Sequence, residues 1–188
     1  MRIIAGELKG RRIDAPDWPG LRPTSDRLRE TLFNVLAPRI EGARFLDAYA
    51  GTGAVGIEAL SRGAAHVTFV ERDRRAQRLI ETNLARCGVK DRYAIIRAGF
   101  VGAAARLPGP FDILFLDPPY GAGEFMEALE AAAPLVTHGA LLIVEHAKRD
   151  RAPEEAAGLV RTRELVQGDS ALSFFSTGGQ SSVHDAQL

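Results

Sequence analysis

The run Phe45-Leu46-Asp47-Ala48-Tyr49-Ala50-Gly51-Thr52-Gly53-Ala54-Val55-Gly56 constrains this chain most, because an apolar strand, a glycine-rich turn and a helix start follow one another without interruption. Gly51 and Gly53 permit positive φ and let a ligand approach main-chain N–H groups, while Gly56 lets the helix lie close on the strand. A turn of the form G-x-G-x-x-G serves two ligand classes: dinucleotides, whose pyrophosphate rests on the helix N-terminus, and S-adenosylmethionine, which carries no phosphate. The glycines alone do not choose between them. Asp47 favours the second, since a carboxylate at the strand end attracts a sulfonium and an amine and repels a pyrophosphate. It also suits a simple turn-capping role.

From Phe45 onward, apolar runs alternate with helical periodicity, the pattern of a doubly wound, mostly parallel α/β sheet covered on both faces. Strands are expected at 44–48, 66–71, 93–98, 111–117 and 140–146, with helices at 55–62, 73–87, 100–107 and 123–135. Two further β-prone runs, 159–165 and 171–176, flank Gln167-Gly168-Asp169-Ser170 and predict an antiparallel hairpin at the sheet edge. With 188 residues and 46% hydrophobic content, one domain with a sizeable core is expected. Cys87 is the single cysteine and stands apart from any metal-ligand spacing, so neither an internal disulfide nor a metal site is expected. No apolar run approaches a membrane span of about 20 residues, and the N-terminus lacks a signal-peptide core. A soluble, cytoplasmic, unprocessed protein is expected. Lys and Arg balance Asp and Glu at 24 each, so a polyanionic partner would have to be met by a local patch.

Such a patch is present at the N-terminus. Residues 2–13 read as a β-hairpin around a glycine-containing turn, with Arg2, Lys9, Arg11 and Arg12 against Glu7 alone. Positive charge of this kind either contacts phosphates or protects a sheet edge. A Pro- and Gly-rich loop, 16–23, leads to a helix that starts near Thr24-Ser25-Asp26 and ends at Pro38. Leu28, Leu32, Val35 and Leu36 bury one face of it. Arg22, Arg27, Arg29 and Asn34 are left for other surfaces, as solvated groups or phosphate contacts.

Two further stretches carry chemistry. Glu71 lies at the end of the second expected strand, 20 residues past Gly51, where open α/β folds set a carboxylate against a ribose diol. Phe111 to Leu116 is an apolar run that ends in Asp117-Pro118-Pro119-Tyr120 at the same sheet edge as the glycine turn. An exocyclic amine of guanine or adenine is a poor nucleophile, since its lone pair is delocalised into the ring. It must be oriented and its N–H protons held by acceptors as a methyl group arrives. Asp117 and the Pro118 carbonyl are such acceptors, the two prolines fix the loop, and Tyr120 offers a flat face to a base drawn out of its stack.

Asp117-Pro118-Pro119-Tyr120 resembles the fourth motif of S-adenosylmethionine-dependent methyltransferases that act on exocyclic amines. Three more stretches, Arg2 to Gly6, Leu21 to Asn34 and Glu58 to Ala64, make the chain similar to the small bacterial 16S ribosomal RNA guanine-N2 methyltransferases over about residues 2–175. The resemblance implies a seven-stranded, Rossmann-like class I methyltransferase sheet over 41–177, preceded by a substrate-recognition hairpin and helix over 1–40 and followed by a disordered tail, 178–188. It implies S-adenosylmethionine held by Asp47, Tyr49, Gly51, Thr52, Gly53, Glu71, Arg72, Gly99 and Phe100, and catalysis at Asp117, Pro118, Pro119 and Tyr120. Arg2, Lys9, Arg11, Arg12, Arg22, Arg27, Arg29 and Asn34 would meet 16S ribosomal RNA within the small subunit, with a monomer favoured. After the third strand, Arg97-Ala98-Gly99-Phe100 offers backbone and an aromatic ring to the adenine where relatives carry an acid or amide. The rival readings are an adenine-N6 methyltransferase of DNA or RNA, since the motif serves both amines, an NAD-linked oxidoreductase, which leaves Asp117 to Tyr120 without a task, and a non-catalytic RNA-binding module.

Overall fold

The computed structural model describes residues 1–19, 24–119 and 122–178. Eight strands form one sheet: β1 (Arg44–Asp47), β2 (His66–Val70), β3 (Tyr93–Ile96), β4 (Phe111–Leu116), β5 (Val136–Ala147), β6 (Glu155–Ala156), β7 (Leu159–Gln167) and β8 (Ser170–Thr177). Their spatial order is β3-β2-β1-β4-β5-β8-β7-β6. β1 to β5 run parallel, and β8, β7 and β6 are antiparallel additions. The sheet thus has one strand more than the seven implied by the resemblance, the extra being the two-residue β6 at the edge. The expected C-terminal hairpin forms, but β8 enters the sheet beside β5 and only β7 and β6 lie outside it.

Period-two alternation divides the strand side chains between two cores. Phe45, Ile113, Phe115 and Ile143 face a layer built from the N-terminal segment with helices α1 (Asp26–Leu36), α2 (Ala54–Ser61) and α3 (Arg74–Arg86). Leu46, Leu114, Leu116, Leu142 and Val144 face the other layer, with α4 (Phe100–Ala103) and α5 (Ala122–Ala132). Burial on both faces explains why these strands read as continuous apolar runs.

Local signals account for most boundaries. The Ser25 hydroxyl caps α1 by accepting the Leu28 N–H at 3.2 Å, and the helix stops before Pro38. Asp73 is the N-cap of α3 rather than its first residue. β5 begins four residues earlier than the apolar run suggests, because Val136 pairs with Phe111 and the register then shifts before Ile113 meets Leu141. The intervening Thr137 to Gly139 are exposed, with Gly139 at φ +83, so this irregular part carries no apolar signature.

The N-terminal hairpin is reduced to a single antiparallel bridge between Arg2 and Arg12. Main-chain hydrogen bonds from the Ile3 N–H to the Arg11 carbonyl, from Gly10 to Ile3 and from Ile13 to Met1 join its two arms, and side-chain and backbone contacts dock it on α2. Glu58 accepts the Ile4 and Ala5 N–H groups at 2.8 and 3.0 Å, and the Ser61 hydroxyl accepts the Leu8 N–H at 3.0 Å. Gly6 sits at φ +83 so close to α2 that a Cβ there would lie 1.8 Å from the Ser61 carbonyl oxygen. Among the described residues no helix is long and apolar enough to cross a membrane.

Candidate active site

Strand order reverses between β1 and β4, and the crevice at their carboxyl ends is where open α/β sheets bind ligands. Asp47 closes β1, and its Oδ2 accepts the Gly56 N–H at 3.0 Å, tying the strand to the first turn of α2 across the glycine turn. Gly51 and Gly53 stand at φ +54 and +76. At Gly56 a Cβ would lie 2.2 Å from the Phe69 ring, so the helix approaches the sheet more closely than any side chain permits. The Asp47 carboxyl is pushed up to about 7 by burial, against the opposing Gly56 hydrogen bond, with the charge of Glu71 adding to the rise.

Glu71 follows β2 and reaches back to the same turn. Its Oε2 accepts the Gly51 N–H and its Oε1 the Asp73 N–H, both at 2.8 Å. The carboxylate therefore fixes the glycine turn and the start of α3, and its remaining lone pairs face the crevice. Thr52 is buried; its carbonyl accepts the Asn83 amide at 2.9 Å and its hydroxyl accepts the Ala54 N–H at 3.3 Å. Across the opening, Tyr49 and Phe100 form an aromatic wall with centroids 5.7 Å apart and rings inclined by 59°. Burial, followed by the charge of Glu124, pushes the Tyr49 phenol up to about 12. Arg72 and Gly99 are exposed at the rim.

Asp117 leaves the end of β4 half-buried, with Pro118 buried and Pro119 exposed. Burial pushes its carboxyl well above the usual range, and the neighbouring charges of Glu145 and Asp47 push in the same direction. The crevice is a cavity of about 1030 Å³. It gathers Asp47, Tyr49, Gly51, Thr52, Glu71, Arg72, Gly99, Phe100, Asp117, Pro118 and Pro119 in one lining, together with Arg27. Gly53 is not in the lining but caps α2 behind it. Tyr120 and Arg22 lie outside the described residues.

The other expected substrate groups lie away from this cavity. Arg2, Lys9, Arg11, Arg12 and Asn34 are exposed, and Arg11 spends one nitrogen on the Cys87 carbonyl. Arg29 corrects the sequence reading: its side chain is fully buried, donating to the Arg2 carbonyl and Asp26 and lying 3.7 Å from Glu58. Helical spacing set it beside Leu28 and Leu32 on the packed face, where Glu58 of α2 supplies the opposite charge. It is a structural cation and is not available to a substrate.

Among the lining groups that sequence reasoning passed over are Glu145, Trp18 and Arg75. Glu145 follows the apolar run of β5 much as Asp117 follows that of β4, and the same strand-end logic would have found it. Trp18 and Arg75 meet at the mouth, with the guanidinium 5.0 Å from the indole centroid. A tryptophan in a Pro-rich loop was the available signal for that pair.

A family model described as Conserved hypothetical protein 95 matches residues 1–176. The chain belongs to this family. Ribosomal RNA small subunit methyltransferase D of Escherichia coli K12 is 39% identical over 183 residues, an alignment covering 96% of this chain and 91% of the relative. The Haemophilus influenzae protein of the same name is 42% identical over 124 residues, 64% of each chain. The solved structure of yhhF from Escherichia coli superposes with a TM-score of 0.84 at 35% identity, covering 96% of this chain and 99% of that one. For this member of the Conserved hypothetical protein 95 family, the match includes the N-terminal segment as well as the sheet.

Proposed function

We propose that this chain transfers a methyl group from S-adenosylmethionine to the exocyclic N2 amine of a guanine in 16S ribosomal RNA. The observation that carries the reading is the meeting, in one cavity, of a glycine turn braced by two carboxylates with Asp117-Pro118 at the adjacent strand end. The names of the Escherichia coli and Haemophilus influenzae relatives support the ribosomal RNA assignment.

The residues of the crevice fit this cofactor. The turn from Ala48 to Gly56 holds no Lys or Arg and is flanked by Asp47 and Glu71, a setting that suits a cation and repels a pyrophosphate. When bound, S-adenosylmethionine supplies an electrophilic methyl carbon. Glu71 would accept the ribose hydroxyls with the lone pairs that its two main-chain donors leave, and the Tyr49 and Phe100 rings would flank the adenine. Asp117 and the Pro118 carbonyl would accept the N–H groups of the substrate amine and orient its lone pair; as the methyl passes from sulfur to nitrogen, the S–C bond breaking while N–C forms and S-adenosylhomocysteine leaving, Asp117 would take up the proton the nitrogen sheds. A carboxyl whose pKa burial has raised is a stronger base for that proton. Residues 1–40 serve as the recognition extension on the catalytic unit at 41–177, with Arg2, Lys9, Arg12, Arg22 and Arg27 directed to RNA phosphates within the small subunit or its assembly intermediate.

Mass spectrometry of nucleosides from small-subunit RNA, with and without this protein, tests the assignment. N2-methylguanosine that depends on the protein is the expected outcome. N6-methyladenosine in its place would move the reading to the adenine amine.

A further inference from the structure

We infer that Glu145 is a specificity-determining residue that accepts the N1–H of the target guanine while Asp117, its neighbour on the adjoining strand, holds the N2 amine. This rests on the guanine methyl-transfer reading above. β4 and β5 are parallel, and their register pairs Phe115 with Ile143 and Leu116 with Val144. The next residues along the two strands, Asp117 and Glu145, therefore stand side by side at the same end of the sheet. Alternation gives them the same face as Phe115 and Ile143, the face on which α1 packs. Both residues line the cavity, and Glu145 is only 4% exposed.

Donors of the protein help hold a carboxylate this deep, among them Thr24, next to the N-terminus of α1, which donates its hydroxyl to Glu145 Oε2 at 3.2 Å. The two carboxylate oxygens offer about four acceptor positions, so donors of the protein and of a base can share them. Two acceptors side by side form a pattern that can be matched to a base. The pairing edge of guanine presents the N2 amine and N1–H as adjacent donors. Adenine presents its N6 amine beside N1, an acceptor, which would face a carboxylate lone pair to lone pair. Sites built on hydrogen bonds discriminate strongly against analogues that leave a buried group unpaired. Burial first, and then the charges of Glu145 and Asp47, raise the Asp117 carboxyl, and two N–H donors opposite the pair offset both effects. The Thr24 contact also ties the base reader to α1, at the end of the proposed recognition extension.

The test replaces the methylated guanine of small-subunit RNA, once mapped, with 2-aminopurine, which keeps the N2 amine but carries an acceptor at N1. The substrates are compared as free transcripts and as reconstituted subunits. The wild-type protein is expected to favour guanine about a hundredfold in kcat/KM. Glu145→Gln, whose amide turns either a carbonyl or an NH2 toward N1, should lose about ten- to a hundredfold on guanine and narrow the preference to less than about tenfold. Binding of S-adenosylmethionine, measured by calorimetry, should be unchanged in the variant. If Glu145→Gln does not bind it, Glu145→Asp, which withdraws the charge from N1, should show the same narrowing. A wild-type ratio near one, or a variant that keeps the wild-type ratio, overturns the inference alone. N6-methyladenosine as the only product overturns the functional reading and the inference together.

Discussion

Asp117 is the side chain on which chemistry and cofactor binding separate most cleanly. In the proposed mechanism it holds the reacting amine rather than the cofactor, so Asp117→Ala should lower turnover by about two orders of magnitude or more and leave S-adenosylmethionine affinity nearly intact. Single-turnover rates beside calorimetry of cofactor binding check both halves. Glu71 behaves differently, because the structure gives it two tasks. Glu71→Ala removes the acceptor of the Gly51 and Asp73 N–H groups and, in the proposed function, the acceptor for the ribose. It should weaken cofactor binding by about 1.5–3 kcal/mol and cost about 1–3 kcal/mol of stability even without cofactor, measurable by urea unfolding. Asp47 gives a pH-dependent prediction. Its folded pKa, about 7, lies above the ordinary value of 3.8, so the native state binds the extra proton between these limits. Stability from this residue is therefore present below pH 4 and is lost as pH rises through 7. Asp47→Asn keeps an oxygen for the Gly56 N–H and removes the titration, so its stability relative to wild type should rise by on the order of 2 kcal/mol between pH 5 and 8. Denaturant unfolding of both proteins across that range tests the sign.

At the scale of elements, α2 joins the cofactor turn to the N-terminal segment through one buried carboxylate. Glu58 accepts from Ile4, Ala5 and Arg62 and lies opposite Arg29, with both acidic and basic side chains of that pair fully buried. Removing one member of such a pair leaves the other charged and unsolvated, so Glu58→Ala should cost about 3–5 kcal/mol. Native-state hydrogen exchange should report early loss of protection at the Ile4 and Ala5 amides. This contact also marks where the sequence stops being legible. The parallel strands, the glycine turn and the strand-end carboxylates could be read from short-range pattern, because burial on both faces leaves uninterrupted apolar runs and a ligand-binding turn needs glycine. The role of Glu58, the burial of Arg29 and the position of Glu145 beside Asp117 depend on partners 28 to 121 residues away and on strand register, which local periodicity does not encode. The same holds for β8, whose sequence announces a hairpin but whose place next to β5 follows from the sheet as a whole.

Over the whole molecule, one core runs from the first residues to the sheet: Ile3, Leu8 and Ile13 are buried together with Leu32, Phe45, Leu60 and Leu84. Burying three such aliphatic side chains contributes about 1.5–3 kcal/mol each, a sum comparable with the about 5–15 kcal/mol that separates most folded domains from their unfolded chains. Removing residues 1–13 should therefore unfold the protein or bring it close to unfolding, and loss of methylation by that truncation would not distinguish recognition from support. Charge reversal distinguishes them. Lys9 and Arg12 are exposed and lie outside the apolar contacts of the segment, so Lys9→Glu with Arg12→Glu should leave the melting temperature and cofactor affinity unchanged. If each cation neutralises one phosphate of single-stranded RNA, the slope of log K against log salt should become shallower by about 0.7 per contact, roughly 1.4 for the pair. Affinities at several salt concentrations, measured beside melting curves for the same two proteins, give the answer: an unchanged slope with an unchanged melting curve would mean that the segment contributes only its buried face and that RNA is held elsewhere.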